Sequence, residues 1–139
     1  MYATNPNAGY NRYQQQSAMT ASPGELTLML YDGCIKFLKQ SKLFMEEKDP
    51  VKASNASIRA QNIISELMAT LDMKYDVSKG LYSLYDFILR GIIQSNVHKD
   101  PALLELPISM VTELRDTWQQ AVRINRQQAV AQGGIYTEE

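Results

Sequence analysis

Three times after residue 20 this chain sets a short capping side chain directly before a proline: Ser22-Pro23, Asp49-Pro50 and Asp100-Pro101. Each pair is a helix start. The side-chain oxygen satisfies a free backbone N–H of the first turn, and proline at the first position gives up a donor that had no partner there. The first start is reinforced by Glu25, three residues after Ser22, which completes a capping box. These signals predict one helix from Ser22-Pro23 to about Glu47 and a second from Asp49-Pro50 to near Asp72. A third covers roughly Val77 to Val97. Asp100-Pro101 then opens a short helical turn that Pro107 interrupts, before a last helix to about Gln128 and a frayed end at Gly133-Gly134. The connections are short, so successive helices run antiparallel, and no stretch alternates with a strand's period. The expected fold is all-α, an antiparallel four-helix bundle over residues 20–130. A flexible segment at 1–19 and a disordered tail at 131–139 flank it.

Composition narrows what such a bundle does. At 139 residues the chain is long enough to bury a core as one domain. A formal net charge of −1 leaves no electrostatic footprint for nucleic acid or an anionic membrane. No apolar run reaches the roughly 18 residues of a membrane span, and the start lacks the order of a signal peptide. Cys34 is the single cysteine, which excludes an internal disulfide and suits a reducing compartment. His98 stands alone in a turn beside Lys99 and Asp100, without a second ligand for a metal. Cys34 lies in an apolar arc, the setting of an inert thiol rather than a nucleophile. There is no Glu-x-x-His pair for a di-iron bundle and no glycine-rich phosphate loop. An enzyme is not expected, nor a catalytic set, a metal or a cofactor.

Apolar arcs point elsewhere. The second helix gathers Ala56, Ala60, Ile63, Ile64, Leu67, Met68 and Leu71 on one side, an ordinary core face. The fourth does the same with Ile108, Val111, Leu114, Trp118, Ala121 and Val122, so Trp118 is expected to be buried. The first and third helices are different. Around Leu81, Leu84, Tyr85, Ile88 and Ile92 the third adds Tyr82, Leu89 and Ile93, widening its stripe to about half the circumference. The first widens similarly, with Leu28, Tyr31, Ile35, Leu38 and Met45 beside Leu26, Leu30, Cys34, Phe37 and Phe44. Four helices bury one stripe each, so this excess either makes these two the most buried pair or leaves an apolar groove for another chain. A homodimer interface would use the same surface.

Four stretches carry a resemblance that covers most of the chain: "TASPGELTLMLYDGCIKFLKQ" (Thr20 to Gln40), "AQNIISEL" (Ala60 to Leu67), "LYDFILRGIIQSN" (Leu84 to Asn96) and "ELRDTWQQA" (Glu113 to Ala121). In order and spacing they resemble the FliS family, the flagellar secretion chaperones for flagellin. The resemblance implies a cytosolic four-helix bundle, monomeric or weakly dimeric. It would hold the C-terminal segment of flagellin, which wraps around it and turns helical on its apolar surface. Such a chaperone stops premature polymerisation and presents flagellin to the flagellar type III export apparatus. Gly91 departs from the pattern, standing where many members carry a larger residue.

Two sets of residues follow as candidates. Leu28, Tyr31 and Ile35 of the first helix, with Tyr82, Leu89 and Ile93 of the third, flank the over-wide stripes and are expected to be surface-available and to line the flagellin groove. Tyr10 and Tyr13 are aromatic rings in a segment otherwise too polar for a core. Tyr10 matches an aromatic position that the family carries in a segment folding over the groove. Both tyrosines are expected to act as a lid that flagellin displaces.

Overall fold

The caps written in the sequence close as hydrogen bonds. In the computed structural model, which describes residues 21–131 and side chains through Gln128, Ser22 Oγ accepts from the Glu25 N–H at 3.3 Å. Glu25 Oε1 in turn accepts from the Ser22 N–H at 3.1 Å, so the capping box is reciprocal. Helix α1 runs from there over Pro23–Glu46. Asp49 Oδ1 accepts from the Lys52 N–H at 3.1 Å and starts α2, Pro50–Ala69. Helix α3 spans Asp76–His98. The proposed lid, with Tyr10 and Tyr13, and the tail beyond Ala131 lie outside the described residues.

Two turns depart from sequence expectation. Pro107 interrupts nothing: a 3₁₀ turn at Pro101–Leu104 runs straight into α4, Glu105–Ala131. Pro107 sits in the first turn of α4, where the N–H it lacks has no helical partner to lose. Helices α1 and α3 both end on a lysine in the left-handed region, Lys48 at φ 61° and Lys99 at φ 52°. After α1 the Lys48 N–H reaches Met45 O at 3.1 Å and the Asp49 N–H reaches Phe44 O at 2.9 Å, the bond pair usually built on glycine. The same tripeptide, Lys-Asp-Pro, makes both turns: one residue reverses the chain and the next caps the following element.

Cross-helix bonds fix the topology. Ser41 Oγ donates to Ala53 O at 2.8 Å and Cys34 Sγ lies 3.9 Å from Ala60 O, so α1 and α2 run antiparallel. The buried side of α2 is small in its first half, with Ala53, Ala56, Ser57 and Ala60, before Ile64 and Leu67 follow. Asp32 with Arg115, Glu25 with Arg126 and Lys42 with Glu105 place α4 antiparallel along another edge of α1. Tyr31 with Tyr85 and Met45 with Ser95 set α3 across the core, parallel to α1. This is an up-down four-helix bundle, and among the described residues there is no strand. Leu38, Ile64, Ile88, Ile92, Leu104 and Val111 fill its centre. Trp118 is half-buried rather than enclosed; its indole N–H donates to Gly24 O at 3.0 Å and pins α4 to the start of α1. Ala121, expected on the core face, is exposed.

Candidate functional site

An open apolar groove lies between α3 and the start of α4, and spacing explains both of its walls. Phe87, Gly91 and Gln94 fall one turn apart on one flank of α3, while Leu103, Leu106 and Met110 fall on one side of the 3₁₀ turn and α4. The two rows enclose about 360 Å³, within the range of roughly 300–1,000 Å³ seen for ligand pockets. Phe87, Leu103 and Leu106 remain exposed although each is a large hydrophobic side chain. The rim is polar: Arg90 lines the groove and pairs with Asp86 at 3.0 Å, one turn back along the outer ridge of α3.

A second apolar strip runs along the other flank of α3. Tyr82, Leu89 and Ile93 share a row with Asn96, whose Nδ2 donates to Ser54 Oγ at 3.2 Å across the α2–α3 seam. Ile58, one turn beyond Ser54 on α2, is exposed there too. Helix α3 is thus a ridge with an apolar slope on each side.

The six expected groove residues do not form one surface. Tyr82 and Ile93 are exposed, at 43% and 37%, and Leu89 is half-buried beside them. Tyr31 and Ile35 are core residues, only 2% and 7% exposed, so the expectation that they are surface-available is corrected. The reason is position. Helix α1 has α2 on one side, α4 on the other and α3 across from it, so its wide arc is consumed by neighbours. Tyr31 meets Tyr85 hydroxyl to hydroxyl at 2.6 Å inside the core, and burial pushes both phenols above their ordinary range. Leu28 is half-buried and faces α4, lying one turn from Gly24 and one from Asp32, both of which bond to that helix.

Sequence reasoning missed Phe87, Leu103, Leu106 and Met110. Their signal was present: Leu103, Leu106 and Met110 fall outside the arc centred on Val111 that faces the core. Apolar residues outside the core arc of an amphipathic helix are what an exposed wall is made of.

Burial raises the Cys34 thiol to about 12, so it stays protonated in the folded protein. No cluster of metal-ligating side chains occurs among the described residues, and no helix there is long and apolar enough to cross a membrane. What the arrangement offers is apolar area beside a polar rim, suited to an amphipathic segment.

A family profile described as flagellar protein FliS matches residues 6–125. The flagellar secretion chaperone FliS of Bacillus subtilis (strain 168) is 40% identical over 126 residues, spanning 91% of this chain and 95% of that protein. Its namesake in Salmonella typhimurium is 32% identical over 124 residues, covering 86% of this chain and 92% of the relative. That of Vibrio cholerae is 34% identical over 115 residues, covering 80% and 84%.

Proposed function

The chain belongs to the FliS family of flagellar secretion chaperones, and on that premise we propose that it binds the C-terminal segment of flagellin. The segment turns helical along the two apolar slopes of α3, with the α3–α4 groove taking its deepest contacts. Held there, flagellin is kept from polymerising in the cytosol and is handed on to the flagellar export apparatus. The protein acts by sequestering its ligand and catalyses nothing.

One observation carries this reading: in a member of this family, Phe87, Leu103 and Leu106 stand exposed around a 360 Å³ groove. Apolar area of that kind on a protein's surface marks an interaction site. The N-terminal segment, through Tyr10 and Tyr13, serves as a displaceable lid. Each ring contributes about 1.5–3 kcal/mol if buried, set against the entropy of ordering the segment.

Size-exclusion chromatography with light scattering tests the proposal on the full chain, with and without a flagellin C-terminal peptide. A 1:1 complex that Leu106→Asp abolishes supports it. A homodimer that ignores the peptide and is broken by Leu106→Asp would establish the apolar slopes as a self-association surface instead. Deleting residues 2–16 is expected to strengthen peptide binding, because an occupied groove lowers apparent affinity by the fraction of time it is closed.

A further inference from the structure

We propose that Gly91 sets the depth of the α3–α4 groove, and with it the size of the ligand side chain the groove admits. The inference rests on reading that groove as the flagellin site. A Cβ placed on residue 91 would stand 3.2 Å from Pro107 Cγ and 4.0 Å from Pro107 Cδ. The first distance is too close for an ordinary contact. Relief is hard to find, because the pyrrolidine ring has no rotamer that swings it away and Pro107 is itself buried. A side chain at 91 therefore either fills the floor of the groove or pushes the first turn of α4 away from α3.

Gly80, in the same helix, makes the contrast: a Cβ there would meet nothing within 4 Å. Glycine in a helix interior is destabilising relative to alanine wherever it occurs. At Gly91, unlike Gly80, that cost coincides with a close approach of the Pro107 ring under a ligand-sized opening. Phe87 and Gln94 stand one turn to either side and Leu106 opposite, so the Gly91 backbone and the Pro107 ring packed against it form the floor on which a ligand residue rests. Gly91 is a specificity-determining position, acting through the close packing of Pro107 that it permits, which keeps the floor low. A large, unbranched or aromatic apolar anchor fits that opening; a Cβ at 91 converts it into a shallow seat for a small one.

The test is a set of calorimetric titrations of the full-length protein, as wild type, Gly91→Ala, Gly91→Val and Gly80→Ala. The titrants are the flagellin C-terminal peptide and versions in which each large apolar residue is shortened in turn to alanine. Gly91→Val should weaken the native peptide about tenfold or more and Gly91→Ala by less, as expected for methyl-scale changes in an apolar pocket. Gly80→Ala should leave affinity unchanged. One shortened peptide, missing the anchor, should bind wild type and Gly91→Val within about twofold of each other, a coupling that a cycle of paired changes isolates. Equal affinity of the native peptide for wild type and both Gly91 variants overturns the inference while leaving the proposed function intact. Weakening of every peptide by the same factor also overturns it, because a displaced α4 would do that without any selection by size. If Gly91→Val fails to fold by circular dichroism, the same coupling is read from Gly91→Ala. A native peptide that does not bind wild type removes the functional reading and this inference together.

Discussion

Helices α1 and α3 carry apolar arcs of similar width, yet one disappears into the core and the other forms two open slopes. Tyr31 and Ile35 on α1 are as enclosed as core residues elsewhere, whereas Tyr82, Phe87 and Ile93 on α3 meet solvent. Composition does not separate the two helices. Their neighbours do: α1 is flanked along its length by α2 and α4, while α3 packs on α2 and meets α4 mainly near its start. A wide stripe thus says that apolar area needs covering, but not whether the bundle or a partner covers it.

The contrast is sharpest for a buried charge. Ile35→Asp places a carboxylate where nothing pairs with it, and is expected to cost more than about 4 kcal/mol and to leave little folded protein by circular dichroism. Ile93→Asp on the slope of α3, where the side chain is partly solvated, should cost about 1–2 kcal/mol and keep the fold by circular dichroism while abolishing peptide binding. If both variants unfold alike, the two arcs are equally buried and the comparison fails.

Next in size is the seam that encloses α1. Trp118→Ala removes half-buried ring area and the bond to Gly24 O, with an expected cost of about 3 kcal/mol in urea unfolding. A loss under about 1 kcal/mol would mean that α4 is not what closes that edge of α1.

The tyrosine pair is where the two helices meet directly. Tyr85→Phe strips Tyr31 of its hydroxyl partner, at an expected cost of about 1–2 kcal/mol. It also alters the alkaline limb of stability. The two phenols and the Cys34 thiol are held above their ordinary values by burial, so only the unfolded chain ionises readily at high pH. Stability is then full below the unfolded values. It falls as the pH rises, for the thiol between its ordinary 9.0 and about 12. Melting temperatures taken upward from pH 9 should fall less steeply in Tyr85→Phe than in wild type, and matching slopes would show that the buried phenol does not contribute.

The smallest effect concerns what the two helices share. Lys48→Gly relieves a left-handed residue at the end of α1 and is expected to stabilise by about 1 kcal/mol. Lys99→Gly at the end of α3 should gain less, since Lys99 Nζ donates to Asn96 O at 2.7 Å and that bond would go. Gains at both ends would place the difference between α1 and α3 in their neighbours rather than in their termini. A destabilised Lys48→Gly would show that the left-handed turn holds no strain to release.

The helix starts at Ser22, Asp49 and Asp100, the four-helix count and the core face of α2 were all legible in the chain, because caps and periodicity act over a few residues and leave a local mark. So was the presence of surplus apolar surface on α3, with Tyr82 and Ile93 exposed, whereas Leu89 beside them is half-buried against the core. The left-handed lysines were not legible: lysine carries no signal for that conformation, and the following Asp-Pro capping motif is satisfied whichever residue makes the turn. Nor was the split between Tyr31, which is buried, and Phe87, which is not. That distinction, and the groove floor where Gly91 faces Pro107, arose only when α4 settled along α1 and left α3 half uncovered. A stripe is a property of one helix, whereas its burial is a property of the pair it packs against, and residues 16 apart in sequence, such as 91 and 107, acquire a common surface only in the folded bundle.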